Sequence, residues 1–318
     1  MARATLTATG TRDYLEELDR AADSAAAAAG GYRDRYFRVA RDVVRLRFAG
    51  TALIEELTKP LRHVEVPAVS TPALTIRMWD STSTGTPLPA VGGDLDPAGE
   101  HLVRHRFGES FVEAGEHSMT ALDAERSVGH FWAEAAGGHR VTALSPILSA
   151  WLPTRQVLLA AAGAVGRPSG CVLIAGSSGS GKSTAAAACL EHGLGYLSDD
   201  TCLIGPGEPP TIFSLYDSLQ LRDGQTKATS HVSDRLLLKA RLRAIAIVQI
   251  TGERETRTGP ATPAAALAAL APGSILQLPA PRRIAFRRMA AIVQSVPCQR
   301  VEAGTDPELI AEAVAGLL

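Results

Sequence analysis

The sequence predicts an α/β protein of two domains: an N-terminal α+β domain over 1–144, then a domain over 145–318 organised around a glycine-rich loop. Three observations predict it. The string Gly176-Ser-Ser-Gly-Ser-Gly-Lys-Ser183 stands between an apolar strand pattern and an alanine-rich helical run. Strand and helix patterns alternate beyond residue 150, as in sheets that carry helices on their faces. Before that point, apolar/polar alternation recurs with Gly and Asp punctuation, the pattern of an antiparallel meander. At 318 residues, 46% hydrophobic and 20% charged, the chain can build two cores and has a globular composition.

The elements follow in order. Residues 1–31 read as a helix with Tyr14, Leu15 and Leu18 on one face, stopped by Gly30-Gly31. Residues 36–48 read as a β-rich string, with Val44, Leu46 and Phe48 inward and Arg45 and Arg47 on the outer face. A short helix over 52–57 and a strand over 74–79 come next. Residues 80–98, rich in Ser, Thr, Gly and Pro, read as a loop. A meander over 108–143 and a short helix over 146–152 complete this part, and Trp79, Trp132 and Trp151 are expected in the core. Residues 156–165 then read as one small-residue strand, 166–170 as a turn and 171–175 as its hairpin partner. A helix runs from Thr184 to Glu191, closed by Gly193, with His192 suited to its C-terminal end.

Composition excludes several classes. With 32 Lys+Arg against 33 Asp+Glu and a net charge of −1, the chain lacks the basic excess of a dedicated nucleic-acid binder. No apolar run approaches the roughly 18 residues of a membrane span. The first residues turn polar at once, without the apolar core of a secretory leader. Cys171, Cys189, Cys202 and Cys298 form no CxxC pair, so neither disulfides nor a zinc site is expected. Those observations predict a cytoplasmic protein with no membrane and no nucleic-acid partner.

The string from Gly176 to Ser183 is a full G-x-x-x-x-G-K-[ST] match. Its glycines let the backbone curl until successive N–H groups face one point. Gly176, Ser177, Ser178, Gly179, Ser180, Gly181, Lys182, Ser183 and Thr184 are therefore the candidate phosphate-binding residues. Lys182 is placed for the β/γ-phosphates and the Ser183 hydroxyl for Mg²⁺. Shortly after, Asp199-Asp200 interrupts the apolar strand pattern of 196–204. Two like charges in such a strand are costly without compensation, and a metal ion with an incoming hydroxyl would provide it. Among the basic residues of 222–257, including Arg222, Lys227, Arg235 and Lys239, most read as a solvated face. Arg254, between Glu253 and Glu255, reads as a mixed-charge turn. Arg243, opening the apolar strand 244–250, is the preferred candidate for positive charge near the transferring group.

A strand hairpin, GSSGSGKST, a helix and then GLGYLSDD together resemble the C-terminal kinase domain of the HPr kinase/phosphorylase family. The likeness is strongest to the bacterial HPr-kinase-like serine kinases. Their fold resembles the nucleotide site of ATP-dependent phosphoenolpyruvate carboxykinase. The resemblance covers roughly 145–318, including Leu242-Arg-Ala-Ile-Ala-Ile-Val, 264–270 and Val296-Pro-Cys-Gln-Arg-Val, and more weakly 33–80 and 105–140. It implies ATP and Mg²⁺ as cofactors. It also implies Asp199 as general base and Asp200 beside Ser183 at the metal, the order of the two Asp roles being open. Bifunctional members of that family carry a His on the strand before the loop and an E-[IV]-R-G element. The stretch 158–162 holds no His and the element is missing, which points away from phosphorolysis and from HPr as the substrate.

The expected function is transfer of the γ-phosphoryl of Mg-ATP to a hydroxyl, a seryl group of a peptide or small protein, or else of a small molecule. The N-terminal domain is the expected acceptor-recognising part, and a homo-oligomer is expected by family resemblance. The alternatives are a nucleotide-binding regulatory module without turnover and a simple NTPase.

Overall fold

The computed structural model describes residues 8–90, 103–138, 143–223, 226–231, 234–276, 279 and 281–318. The chain forms two units, Met1–Trp151 and Leu152–Leu318. The short helix before the junction belongs to the first unit, not to the second as the sequence suggested.

The first unit opens with helix α1 (Ala8–Ala28), then strands β1 (Tyr32–Val39) and β2 (Asp42–Ala49), helix α2 (Ile54–Thr58) and strand β3 (Leu74–Asp80). After helix α3 (Ser81–Thr84) come β4 (Val103–Phe107), β5 (Ser110–Ala114), β6 (Ser118–Asp123), β7 (Val128–Ala133) and helix α4 (Ser145–Trp151). The seven strands lie in the order β1-β2-β3-β7-β6-β5-β4. β3 pairs in parallel with both β2 and β7, and the remaining pairs are antiparallel. The expected meander is there as β5, β6 and β7. The single string read over 36–48 is a hairpin of two strands, because Ala40 turns at φ 55° between them. Part of the expected loop 80–98 is helical: Asp80 caps α3, accepting a hydrogen bond from Ser83 N. Residues 91–98 lie outside the described residues, as do 139–142 at the end of the expected meander.

Helix α1 buries Leu15, Leu18, Ala22 and Ala25 against a sheet face lined by Trp79, Val112, Met119, Ala121 and Trp132. Beside this apolar contact the same helix docks by charge. Asp19 accepts from His130 Nε2 at 3.0 Å and from Arg126 at 2.6 Å, and Arg77 lies 3.5 Å away. One turn on, Asp23 accepts from Arg77 and from Tyr32 Oη, each at 2.9 Å. Burial would raise the Asp19 pKa, but the hydrogen bonds from His130 and Arg126 hold the carboxyl well below the usual range. Burial lowers the pKa of His130, which is fully enclosed, and keeps the ring neutral. All three tryptophans are buried, as expected.

The second unit contains β8 (Leu158–Ala160), β9 (Gly163–Arg167), β10 (Gly170–Ala175), α5 (Lys182–Glu191), β11 (Gly195–Ser198), β12 (Cys202–Gly205) and β13 (Thr211–Phe213). A hairpin, β14 (Ser218–Asp223) and β15 (Thr226–His231), precedes the long strand β16 (Lys239–Ile250). Then come β17 (Arg257–Pro260), α6 (Pro263–Ala271), α7 (Arg282–Ser295), β18 (Cys298–Ala303) and α8 (Pro307–Ala315). One sheet runs β11-β9-β10-β16-β13-β12-β8, with β18 on β16 and β17 on β18. Along β10 the side chains alternate as a pleated strand requires. Cys171, Leu173 and Ala175 face α6 and α7, while Val172 and Ile174 face α5 and α8. The expected hairpin is β9–β10. The other expectation, one strand over 156–165, fails: Ala162 N donates to Ala160 O in a tight turn and the strand divides into β8 and β9. All four cysteines are free and buried. No helix among the described residues is long and apolar enough to cross a membrane.

Both depressed pKa values in the first unit make stability fall with acid. The unfolded imidazole takes a proton below about pH 6.5, and the unfolded carboxyl below about pH 4, where the folded groups resist. Asp19→Asn removes one acceptor charge from the cluster and is expected to cost about 2 kcal/mol. Urea unfolding across pH 3 to 7 should show that loss and a flatter acid limb; unchanged stability would dismiss the cluster as structural glue.

Candidate functional site

The site is built at one edge of the second sheet. β10 and β16 pair in parallel, Ala175 opposite Ile247, and β18 is parallel to β16. β11 is antiparallel to β9, which is antiparallel to β10, so β10, β11, β16 and β18 all end at the same edge. Ligands of open α/β sheets bind at the carboxyl ends of such strands.

The loop 176–181 leaves β10 there, and β16 fixes its shape. Ile250 N donates to Ser180 O at 3.0 Å. A Cβ at Gly176 would collide with Ser180 Oγ and crowd Val248 O, and one at Gly181 would run into the Ile250 side chain. Gly181 also carries φ +102° where it caps α5, a backbone region that side chains rarely enter. Lys182 opens α5, and its ammonium turns back over the loop, donating to Gly176 O at 2.9 Å and Ser177 O at 3.0 Å. Ser177, Ser178, Gly179 and Thr184 are exposed, and Ser183 is half-buried in the first turn. The loop therefore offers solvent a curled main chain, a helix start and an ammonium held by carbonyl oxygens, which suits an anion.

The acid pair sits in a gap of a two-stranded ladder. Residues 164–166 pair with 195–198, Ser198 lying opposite Ala164. The antiparallel pairing resumes with Cys202 opposite Ala160. Between these points, 161–163 and 199–201 part, and Ser198 Oγ donates to Ala162 O at 3.1 Å across the gap. The apolar pattern 196–204 is thus two strands, β11 and β12, with Asp199-Asp200 in the break. Gly163, which pairs with Ile174 near the end of β10, lies against the Asp199 carbonyl. This puts the acid pair at the level where the loop begins and two strand spacings to the side, about 10 Å. The two carboxylates differ: Asp199 is 2% exposed and Asp200 is exposed.

Sequence reasoning missed a third carboxylate. The buried Tyr196 donates its hydroxyl to Ser218 O at 2.7 Å. Burial raises its pKa, and Asp199, Asp217 and Asp200 raise it further; Asp217 directly precedes the Ser218 whose carbonyl takes that hydroxyl. A single Asp after a tyrosine carries no motif that would have marked it.

The structure does not bring Arg243 to the loop. It sits between Leu242, opposite Cys171, and Ala244, opposite Val172, and donates to Ser169 O in the turn joining β9 and β10. That is the far end of β10, about 13 Å from the loop at the usual rise per strand residue. The cause is register: the parallel pairing starts at Arg243's end and reaches the loop only at Ile247. Arg235 instead donates to Leu190 O, and His192 reaches Ala188 O at 2.8 Å, so both serve the end of α5. Arg254 lies 3.8 Å from Asp306 in an exposed turn, as its flanking acids suggested. The side chains of Arg222 and Lys227 lie outside the described residues. Among the described residues no group of three or more His, Cys, Asp or Glu side chains could by itself hold a metal ion.

No family model matches the chain, and no curated protein does. Among solved structures, the HPr(Ser) kinase/phosphatase from Coxiella burnetii is similar at 11% identity and a TM-score of 0.30, over 49% of this chain and 92% of that one.

The close packing of Ile250 on Gly181 is testable. Gly181→Ala is expected to cost about 1–3 kcal/mol through backbone strain and the collision together. Pairing it with Ile250→Ala should return the steric part, measured as a double-mutant cycle in denaturant. No coupling between the two changes would mean that the contact does not shape the loop.

Proposed function

We propose that the second unit is an ATP-dependent phosphotransferase that moves the γ-phosphoryl group to a hydroxyl, a seryl group of a peptide or small protein. One observation carries the reading: a complete phosphate loop and a buried aspartate, Asp199, stand at the same sheet edge.

In this reading the loop amides and the start of α5 hold the α/β-phosphates. Lys182 leaves the carbonyls of Gly176 and Ser177 for phosphate oxygens. Asp199, in its low-dielectric break, accepts the proton of the attacking hydroxyl. Ser183 and the exposed Asp200 would hold Mg²⁺; a hydroxyl and a single carboxylate, with phosphates and waters completing the shell, suit that hard cation. Bound there, Mg²⁺ supplies positive charge against the phosphate oxygens. The positive charge assigned earlier to Arg243 has to come from elsewhere, since that side chain serves the opposite end of β10.

Two substitutions separate the roles. Asp199→Asn should leave nucleotide affinity intact and lower turnover by ~10²–10⁴, the weight of a general base. Lys182→Ala should weaken nucleotide uptake itself. Titration calorimetry with ATP and Mg²⁺, together with mass spectrometry of candidate peptides, reads both. Full transfer by the Asp199 variant would remove its assigned role, and wild-type nucleotide uptake by the Lys182 variant would remove the loop's.

A further inference from the structure

Helix α7 is anomalous. Its sequence, RRIAFRRMAAIVQS, holds four arginines and no carboxylate. Ala285, Met289, Ile292 and Val293 are buried against the sheet. On the outer side Arg283 and Arg287 stand one turn apart, a like-charge spacing that weakens a helix. Among the described residues neither guanidinium is engaged in an ion pair. Beside them Ile284 is 46% and Phe286 50% exposed. Single exposed apolar residues are ordinary, but two of this size between unpaired arginines make a mixed surface that water serves poorly.

The topology brings the start of this helix to the loop edge. α6 begins at the opposite edge, where Ala261 N donates to Cys298 O at the start of β18. The turn Pro272–Leu276 that ends it is pinned beside the gap of the ladder, Ser274 Oγ accepting from Ala161 N at 2.9 Å. α7 packs on that turn and then descends, Cys298 Sγ meeting Val293 O at its far end. Arg283, Ile284, Phe286 and Arg287 thus sit in the upper half of α7, at the side of the sheet edge that holds Asp199.

We propose that this face of α7 docks an acidic peptide segment of the acceptor, its carboxylates on Arg283 and Arg287 and an apolar side chain on Ile284 and Phe286. The inference rests on the phosphotransfer reading above, and names the class of acceptor. Charge selects the occupant. The patch is a local excess on a chain whose net charge is −1, and it is interleaved with apolar groups, whereas nucleic acid calls for a wider basic field.

The test uses the full chain and a short fluorescein-labelled peptide of Asp, Glu, Leu and one Ser, with a Lys-for-acid counterpart. Anisotropy should show that the acidic peptide binds, that the basic one does not, and that salt weakens the complex. Arg283→Glu with Arg287→Glu should weaken binding about tenfold or more, the scale of two exposed ion pairs turned repulsive. If charge reversal unfolds the helix, Arg283→Gln with Arg287→Gln asks the same question. Equal binding of both peptides, or undiminished binding by a folded variant, overturns the proposal. So does tighter binding at the same arginines by a single-stranded oligonucleotide, by phosphatidylglycerol vesicles or by a second copy of the chain. Docking without any phosphate reaching the serine would leave this surface standing and remove the kinase reading; transfer that ignores peptide charge would do the reverse.

Discussion

The parallel pairing of β10 with β16 is the constraint on which the site depends. β10 alone would end in a Gly/Ser-rich segment with many accessible shapes, and ordering it would cost backbone entropy. β16 overshoots β10 by three residues beyond Ile247. That overhang gives the loop a wall: Ile250 N holds Ser180 O, Val248 O approaches Gly176, and the Ile250 side chain covers Gly181. The glycines are required because a neighbouring strand lies against them, as well as for their dihedral freedom. A loop of the same sequence without that strand would keep the motif and lose its form.

The first unit solves a different problem by similar means. Apolar burial alone would let α1 slide on its sheet, since Ala and Leu contacts are forgiving along a helix. Asp19 and Asp23, one turn apart, meet Arg77, Arg126 and His130, which fixes one register. The cost of enclosing His130 is offset by its neutrality and its hydrogen bond to a carboxylate. Arg77, on β3, is thus a docking group for the helix.

Local pattern exposed much of this and geometry hid the rest. The phosphate loop, its flanking strand and helix, the β9–β10 hairpin and the meander were legible because each rests on contiguous periodicity or a fixed motif. The break that holds Asp199-Asp200 was half legible. The acids marked an interruption, but the parting of 161–163 on the facing strand leaves no mark in a run of alanines. Arg243 was misplaced because spacing along a strand does not reveal at which residue its partner starts. The arginines of α7 were invisible as site candidates, since only the crossing of α6 and α7 over the sheet brings them to that edge, and Asp217 was invisible because only the long-range hydrogen bond from Tyr196 to Ser218 O brings its segment to Tyr196.

The Lys182 ammonium is already satisfied by two carbonyl oxygens. A guest must therefore trade for that cation and cannot simply claim it. Neutral carbonyls and hydroxyls in solution offer it nothing better than the loop does, whereas a multiply charged oxyanion does. The resting hydrogen bonds thus act as a threshold, turning away weak competitors before any pocket wall has tested their shape.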